Sequence, residues 1–283
     1  MTPATLDDDL AHALTTAATE APSFGSSPSW RLHLDQTAET LHLHAQPRRT
    51  PAPSGADIRA LHLSAGTALG NLQATAVRYD REPVVRLLPH SGRPDLLATV
   101  RLAGRPRAAR LRRPDLHRAL RHGPPGPSTA SPSAPVEPVP AAVIAELAAA
   151  ARLDGAELHH LSPGRRRTLR DGPDHERSAS PATTDVLLTT ANDRPADWLR
   201  AGRALQHVML LLTLHGLGTE LSLQPMEHRD LNARLADTLP GRRTPQILLR
   251  IADTQAHRLP PVRGGHPLPE EPNAVGAVLP VAT

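Results

Sequence analysis

Apolar residues recur along the chain with two different periods, and the changes between them predict where helices and strands lie. A spacing of three or four residues predicts a helix face, and strict alternation predicts a strand with one buried side. Leu6, Leu10 and Leu14 predict an amphipathic helix that ends before Pro22, and alternation begins at Trp30. The elements predicted next are a hairpin over 30–44, a helix over 54–79 capped by Ser54, and strands over 84–88 and 96–102.

The second half carries the same mixture of periods. Its longest helical pattern begins at Pro195, where we expect Asp193 to cap the helix and Gly216 to stop it. The other predicted elements are helices over 141–153 and 229–239 and strands over 157–161, 185–190, 220–223 and 246–251. Helices and strands mixed in this order predict an α+β fold.

The two long helical patterns share a short motif. Positions 64–69 and 200–205 both read x-Ala-Gly-x-Ala-Leu, and the same offset relates the Leu-x-Pro at 87–89 to the Leu-x-Pro at 223–225. Such a repeat predicts two related halves in one chain, a pseudo-dimer, although chance similarity in an Ala- and Leu-rich sequence remains an alternative. The predicted organisation is a first half over 1–122, a proline-rich crossover over 123–140, and a second half over 141–283.

The composition excludes several kinds of site. The chain has no Cys, so disulfides, thiolate metal sites and cysteine nucleophiles are excluded. A net charge of +4 and the scarcity of aromatic residues argue against binding of single-stranded nucleic acid, which uses several aromatic stacking platforms. The cluster of arginines within 101–121 is more simply explained as a solvated face.

Nothing in the sequence indicates a membrane protein. We find no apolar stretch of about 18 residues that would span a bilayer. The N-terminal region carries Asp7, Asp8 and Asp9 and lacks the basic cluster of a secretory signal. We therefore expect a cytoplasmic protein with no membrane partner.

The histidines offer only weak candidates for a metal site. His159 and His160 are adjacent on a predicted strand, so they point to opposite faces. His42 and His44 share a face, but no third ligand is close in sequence. We interpret His42 and His44 as a surface pair, and no metal site is predicted.

Several segments resemble the nitroreductase superfamily. The loop Ala21-Pro-Ser-Phe-Gly-Ser-Ser-Pro-Ser-Trp30 is similar to the family's Ala-Pro-Ser…Gln-Pro-Trp loop, and Gln224-Pro-Met-Glu227 resembles the segment beside the flavin's reactive edge. Similar blocks at 83–89, 93–100 and 195–206 extend the likeness over nearly the whole chain, most closely to the long, single-chain Acg-like branch. The resemblance implies a nitroreductase-like fold with two halves in one chain.

The resemblance also implies residues that bind FMN. Ser23 and Ser26 come from the loop, Ser26 standing where the family has Asn, and Arg121 and His122 remain from a phosphate-binding block. Pro124 and Pro125 replace the Asn and Arg of that block, so we expect FMN to bind weakly. The remaining implied positions are Gln224, Pro225, Glu227 and Arg263.

Two functions follow from the resemblance. The first is an FMN-dependent oxidoreductase that passes hydride from NAD(P)H to a nitroaromatic or quinone-like small molecule, with the chemistry carried by the flavin. The alternative is a non-catalytic relative that binds flavin or another small ligand for storage or sensing, motivated by the altered cofactor loops. Because both halves are fused, we expect a monomer or a weak dimer.

Overall fold

The computed structural model describes residues 7–24, 30–46, 54–104, 114–122, 139–161, 184–222, 239, 241 and 243–253. In this part of the chain the fold is α+β, as predicted, with five helices and two four-stranded sheets. The helices are α1 (Asp8–Thr19), α2 (Gly55–Arg78), α3 (Pro114–His122), α4 (Ala141–Leu153) and α5 (Pro195–Leu214). The strands are β1 (Trp30–Asp35), β2 (Thr40–Ala45), β3 (Glu82–Leu87), β4 (Leu96–Ala103), β5 (Glu157–His160), β6 (Thr184–Thr190), β7 (Leu217–Ser222) and β8 (Thr244–Asp253).

The two sheets have the same topology. Their strand orders are β1-β2-β4-β3 and β5-β6-β8-β7, and every neighbouring pair is antiparallel. In each sheet the register shifts once, where the second strand meets the fourth, at Leu43/His44 and at Leu188/Thr189. The order helix, two strands, helix, two strands therefore occurs twice along the chain, and α3 lies between the two copies in sequence.

The long helices α2 and α5 pack against each other at the centre and run in the same direction. Residues of α2 face their equivalents in α5, at the offset of the repeated motif, over successive turns. The facing pairs are His62 with Trp198, Gly66 with Gly202, Gly70 with Gln206, and Ala74 with Leu210. The prediction that these two helices pack together is confirmed. The two glycines of the motif lie at the crossing, where a side chain on either would overlap the other helix.

Two main apolar clusters form the core, one beneath each sheet. The first contains Leu14, Leu43 and Leu69, and the second contains Leu188 and Leu205. One leucine of each central helix crosses over. Leu63 of α2 packs in the second cluster and Leu199 of α5 packs in the first. Because Leu63 and Leu199 are equivalent positions of the repeat, the exchange is reciprocal and ties the two copies together.

The ends of the central helices follow from local chemistry, with one exception. Ser54 caps α2 in a reciprocal capping box with Asp57, as predicted. Gly216 follows α5 with a φ of 70°, which glycine adopts without strain. The prediction that Asp193 caps α5 is wrong: the N-cap is Arg194, with no side-chain cap, because the Asp193 carboxylate instead accepts from Arg59 and Trp198.

Replacing Ser54 by Ala removes the cap of α2 and should destabilise the protein by about 1 kcal/mol. The free energy of unfolding from chemical denaturation measures the change. Ser91→Ala, at an exposed serine in the turn between β3 and β4, is the control and should change it by less than about 0.5 kcal/mol. Equal effects of the two substitutions would show that the capping box contributes nothing.

Some sequence-based expectations differ from the structure or fall outside it. Helix α3 lies within the arginine-rich stretch that we interpreted only as a solvated face. The strand predicted at 220–223 corresponds to β7, which begins three residues earlier, at Leu217. All but the last residue of the helix predicted at 229–239, and most of the crossover at 123–140, lie outside the described residues. None of the described helices combines the length and apolarity needed to cross a membrane.

Candidate functional site

A cavity of about 760 Å³, the large cavity, lies beside the C-terminal halves of α2 and α5. Helices α1 and α3 complete its walls, so both copies of the repeated unit contribute to it. This volume falls within the range of about 300–1,000 Å³ that is usual for small-molecule and cofactor sites. The residues that carry the site's polar chemistry are His12, Glu20, Asn71, Thr75, Tyr79, His117, Arg121 and Gln206.

Two side-chain amides in the cavity wall are linked in a chain. The amide of Asn71 donates to the carbonyl oxygen of Ala17 at 2.7 Å, and Gln206 Nε2 donates to Asn71 Oδ1 at 2.6 Å. The Ala17 carbonyl oxygen can only accept a hydrogen bond, so Asn71 must present its NH₂ group to it. Asn71 Oδ1 then faces Gln206, which must donate through Nε2. Gln206 Oε1 is then left as an acceptor with no partner among the described residues.

A second polar atom in the same wall is also unsatisfied. Thr75 is fully buried, and its Oγ1 has no hydrogen-bond partner in the described part of the chain. A buried polar group without a partner costs about 1–3 kcal/mol. Both oxygen atoms lie in adjacent helices of one wall, and both are shielded from solvent.

The charged groups of this cavity that matter most lie on α3. Arg121, near the end of α3, is exposed and has no acidic partner among the described residues. Burial lowers the pKa of His117, and the positive charges of Arg78 and Arg121 lower it further. His117 therefore favours its neutral form, which leaves Arg121 as the permanent cation of the described wall.

Few of the residues implied by the resemblance lie in the described part. Arg121 lines the large cavity, and Ser23 is exposed directly after Pro22, which also lines it. The segment before residue 25 is held on α2 because Thr67 donates to the Pro22 carbonyl and Ser64 accepts from the Phe24 amide. His122 ends α3, and nothing is described of its side chain. The positions that lie outside the described residues are Ser26, Gln224, Pro225, Glu227 and Arg263.

A smaller cavity of about 260 Å³ lies on the other side of the central helices. Its walls come from α2, α3, α4 and α5, and it is built from the equivalent positions of the repeat. Asn71 and Thr75 of the large cavity correspond, at the offset of the repeat, to His207 and Leu211 of the small one. The same offset relates Gln73, Ala74 and Val77 of the small cavity to Met209, Leu210 and Thr213 of the large one.

The small cavity contains a buried ionic triad. Asp154, the C-cap of α4, accepts from Arg203 at 2.7–2.8 Å and pairs with His207 Nδ1 at 2.6 Å. Burial alone would raise the pKa of Asp154, but the charges and hydrogen bonds of His207 and Arg203 outweigh it, so the pKa lies below its usual value. The carboxylate stays ionised although its side chain is only 4% exposed. The triad was not predicted, because Asp154 and Arg203 belong to different helical segments and no local pattern links them.

Another polar cluster joins the two copies at the start of the central helices. Arg59 of α2 binds both carboxylate oxygens of Asp193 at 2.5–2.6 Å and lies 5.1 Å from the centre of the Trp198 ring. The same guanidinium donates to Gln246, a buried residue near the start of β8. Arg59 is thereby saturated with partners inside the protein, and we interpret the cluster as a structural clamp.

The histidine pairs do not form a metal site in the part of the chain described. His42 and His44 stack with ring centres 6.3 Å apart, and His33 lies 6.1 Å from His42. His44 pairs with Asp95, and His159 contacts Thr189. Among the described residues, no group of three or more histidine, cysteine or acidic side chains has the arrangement to hold a metal ion.

Comparison with known proteins adds no relative that would identify this cavity. No family model matches the chain, and no curated protein matches it either.

Proposed function

We propose that the chain is an FMN-dependent NAD(P)H oxidoreductase of the nitroreductase type, in which two related halves form a pseudo-dimer around α2 and α5. The observation that carries this proposal is the large cavity between the halves, which Arg121 lines and which the segment of Ser23 borders. Both positions fall within the described residues. Arg121 lines the cavity and Ser23 directly follows Pro22, which also lines it, so two well-separated segments of the chain meet there.

The repeated architecture supports the pseudo-dimer. The sheets share their strand order and the place of their register shift, and α2 faces α5 at a constant offset. Two-fold dimers place the same surface of each subunit at the interface, so that residues near the axis meet their own equivalents. The contact of Gly66 with Gly202 and the exchange of Leu63 and Leu199 are what such an interface produces within one chain.

The residues of the cavity fit a flavin. Its volume accepts a tricyclic ring, and Arg121 offers donors suited to a phosphate. A flavin bound here would supply hydride transfer between NAD(P)H and a nitroaromatic or quinone-like acceptor.

The protein's own residues bind and orient rather than react. Arg121 holds the anionic end of the ligand, and the amide chain from Ala17 through Asn71 to Gln206 keeps the wall rigid. His117 favours its neutral form because burial and two nearby arginines lower its pKa, so it does not place a second positive charge in the wall of the cavity. No acid–base pair of side chains is required.

Titration of the protein with FMN and with riboflavin tests the assignment, with flavin fluorescence as the readout. Arg121→Ala should weaken FMN binding by about 10- to 100-fold, because one charged phosphate contact contributes about 1.5–3 kcal/mol. Riboflavin has no phosphate, so its affinity should not change. Arg118→Ala, on the same helix but outside the cavity lining, is the matched control. Failure of the wild-type protein to bind either flavin would reject the proposal.

The non-catalytic alternative has one observation in its favour. Arg121 is the sole arginine among the described lining residues, so the phosphate has a single permanent cation there. Anaerobic bleaching of bound flavin by NADPH, followed by reoxidation with a nitroaromatic acceptor, separates the two functions. Binding without bleaching would favour storage or sensing.

The pseudo-dimer also bears on assembly. Because both halves of the interface are in one chain, we propose a monomer or a weak dimer. Light scattering across a concentration series tests this, and a stable dimer at low micromolar concentration would contradict it.

A further inference from the structure

We propose that the small cavity is a second ligand site, which binds a short aliphatic monocarboxylate with its carboxylate on Arg203 and its hydrocarbon chain between α2, α3 and α4. The site is separate from the large cavity and does not depend on flavin binding.

The polar end of the cavity offers donors that the described part of the protein does not use. Arg203 donates to Asp154 through Nε, its Nη2 forms an ion pair with the same carboxylate at 2.7 Å, and no described residue accepts from its Nη1. His207 uses Nδ1 for Asp154, which leaves Nε2 without a described partner. Both side chains line the cavity and are largely buried, 13% and 17% exposed. The guanidinium of Arg203 lines the cavity and can donate to a ligand there, and a carboxylate is the strongest acceptor that a small organic ligand commonly carries.

The rest of the cavity is apolar and small. At about 260 Å³ it lies just below the usual range for drug-sized ligands, so its ligand is a fragment of a few carbon atoms. Leu153, at 60% exposure, lies at its edge as one of the few exposed large apolar residues described. The other apolar lining residues are Ala74, Val77, Leu116, Ala149, Ala150 and Leu211.

The charge is specific to this cavity and not a consequence of the repeat. The positions equivalent to Arg203 and His207 in the first copy are Thr67 and Asn71, both uncharged. Thr67 donates to the Pro22 carbonyl and Asn71 to the Ala17 carbonyl, so both bind the protein's own backbone. In the first copy these positions therefore bind the backbone of the N-terminal segment. In the second copy they place Arg203 and His207 in the lining of the small cavity.

The lining of the cavity presents little that would repel a carboxylate. Asp154, the C-cap of α4, is the single acidic residue among the described lining residues, and Arg203 offsets its charge. The lining positions of α2 and α3 carry no charge, Gln73 being a neutral amide.

Calorimetric titration with hexanoate and with 1-hexanol tests the site. Hexanoate should bind the wild-type protein at least about tenfold more tightly than 1-hexanol, because its carboxylate forms a charge-assisted hydrogen bond that the hydroxyl cannot. Arg203→Gln should abolish this preference. A purely structural triad predicts no such preference.

A variant that leaves the triad intact provides the second arm. Ala150→Met fills the cavity and should abolish binding of both probes, whereas Ala145→Met, on an exposed position of the same helix, should bind as the wild type does. Circular dichroism checks that each variant is folded. Equal affinity for hexanoate and 1-hexanol, or unchanged hexanoate binding in a folded Ala150→Met variant, overturns the proposal. The flavin titration is unaffected by either result.

Discussion

Gly202→Ala is expected to destabilise the protein by about 3 kcal/mol, although alanine is ordinarily the better helix former by about 1 kcal/mol. A Cβ on Gly202 would lie 2.1 Å from the Leu63 carbonyl oxygen and 2.9 Å from Gly66 Cα. Both atoms are backbone, so no side-chain rotation relieves the overlap and α2 must move away from α5. Overpacking in a core commonly costs about 1–3 kcal/mol, and backbone contacts this close belong at its upper end.

The matched control is Gly55→Ala, in the first turn of α2, where an added Cβ meets nothing within 4 Å. That variant should be as stable as the wild type or slightly more stable. The free energy of unfolding in urea measures both. If Gly202→Ala is also neutral, the two helices are not in the close contact described and the proposed pseudo-dimer loses its main support.

Asp154→Asn is expected to cost about 3 kcal/mol or more at neutral pH. It removes the only carboxylate from a buried group of three partners and leaves Arg203 and His207 without compensation. Breaking a buried ion pair by removing one partner typically costs about 3–5 kcal/mol. Glu146→Gln, which alters a half-exposed pair with His215, is the control and should cost less than about 1 kcal/mol.

The contribution of Asp154 should depend on pH in one direction. Its pKa in the folded protein is lowered, so its stabilisation is complete above the unfolded value of about 3.9 and is lost as the pH falls through the folded value. The difference in stability between the wild type and Asp154→Asn should therefore be constant from neutral pH to about pH 5 and shrink below about pH 4. A difference that stays constant at acid pH would show that the carboxylate is not held ionised by its partners.

Local sequence patterns predicted the elements well where one face is buried along the whole length. The helix predicted at 141–153 is α4 with the same bounds, and Gly216 ends α5 as expected. The pattern was less informative for α3, because its arginines suggested only a solvated face. That helix gains its buried side from cavity walls and from Ala74 and Leu210, which come from distant parts of the chain.

The candidate sites could be predicted only in part. Arg121 was found through a resemblance, and it lines the large cavity. The unsatisfied oxygen of Gln206 and the ionic triad of Asp154 had no signal, because glutamine and aspartate in helical patterns are usually solvated. Asp193 shows the opposite error. Its position before a helix predicts a cap, but one guanidinium nitrogen of Arg59, far away in sequence, binds both of its carboxylate oxygens. Such a charge-assisted contact is stronger than one backbone hydrogen bond.

The sequence by itself determined most of the described helices and strands, the cap of α2 and the stop of α5, and the offset at which the two central helices correspond. These are properties of periods and of single residues, and they act over a few positions of the chain. The tertiary structure alone decided that Gly66 meets Gly202, that Leu63 and Leu199 exchange cores, and that equivalent positions line two cavities of different charge. The physical reason is that close packing and desolvation act between atoms brought together from separate segments, and no local pattern records which segments those are.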